Sequence, residues 1–150
     1  MNLGELLPEK LRDEYATRKI QIGSVIRMYV QDTNPPKEKR FVIVSEDETK
    51  VRLAVVYFNT VVNPNVNYTE ESRSLHIPVS PEGRDYLSGD CFIDCSELLE
   101  KSKESVIEYI TDNPGELLGH MSDDDQREVQ VKIMQAKTIP PYKKRRYGFA

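Results

Sequence analysis

The sequence predicts a small α+β domain, in which a curled five-stranded antiparallel sheet carries helices on its outside. Short segments of alternating apolar and polar residues occupy the chain from about residue 25 to residue 95, and helical spacing dominates the last third. The length of 150 residues corresponds to one ordinary domain. Residues 1–150 are therefore expected to form a single domain.

The composition is that of a globular chain. Apolar residues make up 38% of the sequence and charged residues 31%, which is too apolar for a disordered chain. No run approaches the 18 or so apolar residues of a membrane span, and residues 1–10 lack the basic start and apolar stretch of a signal peptide. Two cysteines are too few for a disulfide scaffold. These features predict a cytoplasmic protein that does not contact a membrane.

A helix is predicted first. Leu7, Leu11 and Tyr15 stand at helical spacing around Pro8, a residue favoured at the first position of a helix. The predicted helix covers residues 8–19.

Five strands are predicted after this helix, over residues 25–30, 40–45, 51–58, 75–79 and 91–95. Only residues 46–50 separate the second strand from the third, so the two are expected to pair as a central antiparallel hairpin. Pro78 cannot donate to a ladder, so the fourth strand should be an edge strand or should end there.

Two helices are predicted in the last third. The first contains residues 106–110 and stops near Asn113–Gly115, which is a strong helix breaker. The second begins at Ser122, which forms a capping pattern with Asp125 and precedes apolar residues at helical spacing. Residues 138–150 contain two prolines and four consecutive basic residues, and are expected to be extended or mobile.

Several segments, in their order and spacing, resemble the PemK/MazF-like toxins of bacterial toxin–antitoxin systems. They span roughly residues 22–137. They are Gly23–Arg27 with its strand, the polar loop ending in Arg40 before Phe41–Ser45, the strand closing on Asn59–Thr60, Cys91–Ser96, and Leu118–Asp123 before the last helix.

The resemblance implies a fold, an activity and partners. The fold would be a small SH3-like, partly closed five-stranded barrel with N-terminal and C-terminal helices, working as a homodimer. The activity would be that of an endoribonuclease that cleaves single-stranded RNA without a metal or other cofactor and leaves a 2′,3′-cyclic phosphate. An antitoxin protein would silence it.

The resemblance also implies site residues. Arg40 and Thr60 match the family's catalytic positions, where the arginine serves proton transfer or transition-state stabilisation and the threonine supports the phosphate. If the hairpin forms, Arg40 and Thr60 lie at its same, open end. Lys37, Lys39 and Asn59 are the candidate RNA-binding residues. The two lysines are suited to contacting backbone phosphates, although a solvated charged loop explains them equally well.

A second interpretation stays open. Arg40 is followed by Phe41, where the family usually has proline, and this departure favours a non-catalytic binding module on the same fold. Such a module would be a protein-interaction domain or, like CcdB-type relatives, a poison of a partner enzyme.

The remaining candidates have structural explanations. His76 alternates away from the apolar face of its strand and is expected to be exposed, as a reserve acid or base; His120 precedes a helix cap. Cys91 and Cys95 lie about 13 Å apart if their segment is a strand, too far for one zinc ion or a disulfide.

Two tyrosines and one basic run are of residue types that bind RNA. Tyr29 and Tyr57 are suited to stacking on bases, but are expected to fill a barrel wall instead. The basic run Lys143–Arg146 fits nucleic acid, a solvated terminus, or a clamp that packs back on the acidic body.

Overall fold

The computed structural model describes residues 20–30, 37–60 and 70–150. The strands in these ranges are β1 Ser24–Val30, β2 Lys37–Glu46, β3 Arg52–Asn59, β4 His76–Val79, β5 Cys91–Ser102 and β6 Leu117–His120. The helices are α1 Glu70–Ser74, α2 Lys103–Asp112, α3 Asp123–Gln135 and α4 Pro141–Arg146, with a 3₁₀ turn at Pro114–Glu116. The predicted helix over residues 8–19 lies outside the described residues.

The strands form one antiparallel sheet in the order β4-β5-β3-β2-β1-β6, curled into a half-barrel. The hairpin of β2 and β3 lies at its centre, and β4, which contains Pro78, lies at an edge, so both predictions are confirmed. The register shifts in three of the ladders. An irregularity of this kind bends a strand and increases its twist, which accounts for the curl. The α+β class is therefore confirmed as a curled antiparallel sheet with helices.

The prediction of five strands is wrong, because β6 pairs with β1 as a sixth strand. β6 has only four residues and includes Gly119, so the sequence shows no alternation there. Its end is fastened by the backbone N–H of Met121, which donates to the carbonyl of Gly23 at 2.7 Å. β5 is also longer than predicted and continues through the charged segment after Cys95.

Apolar side chains are buried on both faces of the sheet. On one face, Val129 and Ile133 of α3 pack with residues of all of the longer strands, among them Val25, Val42, Val56 and Ile93. On the other face, Val106 and Ile110 of α2 pack on Ile26, Phe41, Ile43 and Val55. None of the helices in the described ranges has the length and apolar character that crossing a bilayer requires.

The prediction for residues 138–150 is wrong, because Pro141–Arg146 forms α4. Proline is tolerated here since the first residues of a helix have no intrahelical acceptor for their N–H groups. After α4 the chain folds back onto the sheet. The Ser45 hydroxyl donates to the carbonyl of Tyr147 at 2.7 Å, and the side chains of Tyr147 and Phe149 are buried in the core under α3.

The basic residues of α4 contact the protein itself. Lys143 Nζ donates to the carbonyl of Leu98 and Lys144 Nζ to that of Met134, each at 2.9 Å. Arg146 binds the carboxylate of Glu100 at 2.6 Å. Of the three explanations for this basic run, the clamp is the one observed.

Gly23 occupies a position that requires glycine. Its φ of +96° is in the left-handed region, and an added Cβ would lie 2.5 Å from Gln126 Nε2 and 2.6 Å from His120 Nε2. Both nitrogens are engaged, because Gln126 donates to the Met121 carbonyl at 2.8 Å and His120 to the Ile22 carbonyl at 3.1 Å. A side chain at residue 23 would therefore disrupt the junction of β1, β6 and α3.

We expect Gly23→Ala to destabilise the protein more than Gly83→Ala, by about 1 to 2 kcal/mol, as each displaced hydrogen bond contributes about 1 kcal/mol. Both glycines have positive φ, so both variants incur left-handed strain. Only Gly23 has neighbours within 4 Å of the added methyl group. Urea denaturation of the two variants measures the difference, and equal losses would contradict the assignment.

Phe149→Ala should destabilise the fold by about 3 kcal/mol, the cost of removing a buried phenylalanine ring. The matched control is Tyr142→Ala, because Tyr142 is a neighbouring aromatic residue that is 49% exposed. Thermal unfolding should show a large loss for Phe149→Ala and a small one for Tyr142→Ala. Similar small losses in both would mean that residues 147–150 do not contribute to the core.

Candidate functional site

A cavity of about 220 Å³ opens where β2 begins and β3 ends. Its three walls are the start of β2, the end of β3 and the segment between β4 and β5. The described residues that line it are Lys37, Glu38, Lys39, Arg40, Phe58, Thr60, Leu87, Ser88, Gly89, Asp90 and Cys91. Four of the five site residues proposed from the sequence are therefore in one place: Lys37, Lys39, Arg40 and Thr60.

Strand pairing explains why Arg40 and Thr60 meet. In the β2–β3 ladder Phe41 pairs with Tyr57, so the start of β2 runs beside the end of β3. Residues separated by two positions share a face of a strand. Arg40 therefore lies on the same face of β2 as Val42, and the buried side chain of Phe58 forms the floor of the cavity beside them.

Arg40 lies opposite a second arginine. Its partner in the β1–β2 ladder is Arg27, and like charges in directly opposed positions are destabilising. Glu116 relieves this repulsion, because its two carboxylate oxygens accept from Arg27 Nε at 2.7 Å and from Arg27 Nη2 at 3.0 Å. The hydrogen bond to Glu116 raises the pKa of Arg27, and that to Arg27 lowers the pKa of Glu116.

Arg40 itself retains donor capacity. Its Nε is buried and has no hydrogen-bond partner among the described residues. Arg40 also lines the cavity, and a guanidinium carries donors besides Nε, so its charge would stabilise an anion bound there.

Asn59 is the fifth candidate residue, and the structure shows its hydrogen bonds. It does not line the cavity; its Oδ1 accepts from Lys39 Nζ, and its Nδ2 donates to Asp94 Oδ2 at 3.2 Å. Lys39 Nζ also lies 5.4 Å from the ring centroid of Tyr57. Asn59 thus holds Lys39 at the rim of the cavity.

The expectation that His76 is exposed is wrong, because its side chain is 1% exposed. His76 Nδ1 donates to the carbonyl of Ser72 in α1 at 3.0 Å, and Nε2 lies 3.3 Å from Asp94 Oδ1. Alternation correctly places His76 on the face opposite Ile77, but the side chain is buried there between Ser72 of α1 and Asp94 on the neighbouring strand β5. His76 and Asp94 therefore form a buried ion pair behind Asn59.

The ion pair shifts both titrations. The carboxylate of Asp94 raises the pKa of His76 above its usual value, although burial opposes this. Burial acts to raise the pKa of Asp94, but His76 and Ser96 together lower it.

The two tyrosines behave differently. Tyr57 is buried in the sheet wall, as expected, and its hydroxyl accepts from Lys101 Nζ at 2.7 Å. Tyr29 is 53% exposed, so the expectation that it fills the wall is wrong.

His120 is exposed, and its Nε2 donates a hydrogen bond to the Ile22 carbonyl, which is a structural role.

Both cysteines are buried, unpaired thiols on β5. Burial raises the pKa of Cys91, which lines the cavity. Burial also raises the pKa of Cys95, to about 12. Thiols of this kind are poor nucleophiles, because the thiolate is the reactive form. Within the described ranges no three His, Cys, Asp or Glu side chains are grouped as metal ligands.

Sequence reasoning did not propose Glu38 or Asp90, the two carboxylates in the cavity lining. Glu38 lies two residues before Arg40, so a search for acids on the same strand face as Arg40 would have found it. Asp90 ends a turn-rich segment whose position against β3 depends on the tertiary fold.

Comparison with known proteins does not assign the chain to a family. No model of a known protein family matches the sequence, and no curated protein matches it either.

The His76–Asp94 pair predicts a pH dependence of stability. Because the pKa of His76 is raised, its contribution is complete below the ordinary histidine pKa of 6.5 and is lost as the pH rises through the raised value. We therefore expect the free energy of unfolding to fall on the alkaline side of pH 6.5, and His76→Asn to reduce this fall. The measurement is urea denaturation across this pH range. His120→Gln, which changes the other histidine, should keep the wild-type profile; an unchanged profile in His76→Asn would refute the assignment.

Proposed function

We propose that the protein is an endoribonuclease that cleaves single-stranded RNA without a metal, with its reaction centre in the Arg40–Thr60 cavity. The observation that carries this proposal is that Arg40 and Thr60, from two strands, line one cavity whose lining also includes Lys37 and Lys39.

Charge supports an anionic ligand at this place. The whole chain has a formal net charge of −4, whereas the cavity lining has three basic residues against two acidic ones, a formal charge of +1. Local positive charge on an acidic protein favours a phosphate chain at that position and disfavours it elsewhere. Arg40 lines the cavity, and its guanidinium is suited to binding phosphate oxygens.

The proposed reaction is an internal transfer of the phosphoryl group. The 2′-oxygen of a ribose attacks the adjacent phosphorus, and the bond from phosphorus to the 5′-oxygen of the next nucleotide breaks. The products are a 2′,3′-cyclic phosphate and a 5′-hydroxyl. Arg40 stabilises the negative charge that develops on the phosphorane, and the Thr60 hydroxyl donates to a non-bridging oxygen.

Glu38 is the proposed general base. The 2′-hydroxyl must lose a proton, and a carboxylate in the same cavity is able to accept it. Glu38 and Arg40 lie on one face of β2. The proton is then available, through Glu38 or water, for the departing 5′-oxygen.

The PemK/MazF-like resemblance supports the same proposal, including its SH3-like form of barrel. With it come the proposals that the protein acts as a homodimer and that an antitoxin protein silences it. The other candidate function, a non-catalytic binding module, is favoured by one observation: Arg40, Lys37 and Lys39 line one cavity, and such a cavity binds an anion without any reaction.

Arg40→Ala should reduce the rate of RNA cleavage about 100-fold or more, which is the typical cost of losing a donor that stabilises developing charge. The assay uses purified protein, a mixture of single-stranded RNAs and EDTA, and detects new 5′-hydroxyl and 2′,3′-cyclic phosphate ends.

Arg145→Ala is the matched control, because Arg145 is an exposed arginine on α4 and does not line the cavity. It should retain the wild-type rate. Folded wild-type protein that leaves every RNA intact would contradict the ribonuclease proposal. RNA binding that is lost in Arg40→Ala, without cleavage by the wild type, would support the binding module.

A further inference from the structure

Tyr29 lies on the same face of the sheet as Arg40. In the β1–β2 ladder Arg27 pairs with Arg40, and Tyr29 pairs with Glu38. The side chains of directly paired residues lie on one face, and so do those of residues two apart on a strand. Tyr29 therefore shares the face of Glu38 and Arg40, beside the cavity that these two residues line.

The buried neighbours agree with this assignment of faces. Val25 and Val42 continue the same face of β1 and β2; they pair with each other and belong to the core under α3. Phe58 of β3 belongs to that core as well and lines the cavity. Val30, next to Tyr29, packs in the core on the opposite face. Tyr29 is thus on the side of the sheet that forms the cavity.

The exposure of Tyr29 distinguishes it from the aromatic residues of the two central strands. Phe41, Tyr57 and Phe58 are each at most 7% exposed. Tyr29 is 53% exposed. Among the described strands, β6 pairs with β1 only at Ser24–Ile26, so none of them lies beside Tyr29 on its outer side. The aromatic ring is therefore accessible to a ligand.

Tyr29 and Arg40 are diagonal neighbours in the β1–β2 ladder. Diagonal positions are about 7 to 8 Å apart, a separation that aromatic and long side chains span. Each nucleotide carries its base and its phosphate on one ribose, so a phosphate at Arg40 brings the adjoining base to this face. Arg27 is held aside, because both oxygens of Glu116 accept from its guanidinium.

We propose that Tyr29 stacks on a base of single-stranded RNA, next to the phosphate bound at Arg40. This inference rests on the proposed function, since Arg40 supplies the phosphate position. Single-stranded RNA is commonly held by aromatic rings that stack on its splayed bases. Every base has a face that stacks, so Tyr29 adds affinity for any base. It also selects single strands over duplexes, whose bases are already stacked on one another.

The test measures binding apart from cleavage. The probes are short fluorescent RNA oligonucleotides in which every 2′-hydroxyl is methylated, so that the 2′-oxygen cannot be deprotonated for attack. Fluorescence anisotropy at one fixed salt concentration gives their affinity, because phosphate contacts depend on salt. Tyr29→Phe should bind within about twofold of the wild type. Tyr29→Leu and Tyr29→Ala should bind about tenfold more weakly, the usual effect of losing one base stack.

Tyr142→Ala is the matched control variant, because Tyr142 is 49% exposed and lies on α4, away from the cavity. It should bind as the wild type does. Two control ligands are an abasic strand of the same length and charge, and a duplex of the same methylated sequence. Wild type and Tyr29→Ala should bind each of these equally, because neither offers an unstacked base.

Equal affinity of the wild type and Tyr29→Ala for the base-bearing single strand would overturn the stacking role. A similar loss on the abasic strand would also overturn it, by showing that Tyr29 acts through the fold or the phosphates. Cleavage of unmodified RNA is scored separately. Tyr29-dependent binding without cleavage would uphold the stacking role and reject the ribonuclease, and cleavage without Tyr29-dependent binding would do the reverse. Folded wild type that neither binds nor cleaves single strands would reject both.

Discussion

The pairing of β2 with β3 is the constraint on which the rest of the structure depends. These two strands occupy the centre of the sheet, and their side chains reach both apolar cores. Their antiparallel register brings the start of one strand beside the end of the other, so Arg40 and Thr60 share a cavity. A shift of one residue would move each side chain to the opposite face, and would separate Arg40 from that cavity while exposing apolar residues. The core and the candidate site therefore depend on the same register.

Arginine–carboxylate pairs elsewhere in the described chain fix the elements around this centre. Arg27 pairs with Glu116, Arg84 with Asp125, and Arg146 with Glu100, and each pair joins segments distant in sequence. Arg40 differs, because its buried Nε has no acceptor within the described residues. The contrast between arginines that fasten the fold and one that faces a cavity supports a functional assignment for Arg40. The Tyr86 hydroxyl is also buried without a hydrogen-bond partner among the described residues, so what distinguishes Arg40 is its place in the cavity lining.

A continuous polar network supports the rim of the cavity from behind. It runs from Lys39 to Asn59, then to Asp94 and His76, and ends at the carbonyl of Ser72. The buried ion pair at its centre limits the positions open to Asn59, and Asn59 in turn limits those of Lys39. Asn59, Asp94 and His76 do not line the cavity, yet they set the position of Lys39, which does.

The sequence by itself determined the central hairpin, the edge position of β4 and the capped helix α3, because β-branched content, Pro78 and the Ser122 cap act locally. It also placed Arg40 near Thr60, which follows from hairpin geometry alone. Only the tertiary structure decided the burial of His76, the sixth strand, the supporting role of Asn59 and the fold of the basic C-terminal segment. Each depends on contacts between distant residues, such as the hydrogen bond from Ser45 to Tyr147 across 102 positions. Local periodicity shows which face of a strand a side chain occupies, but not whether another element covers that face.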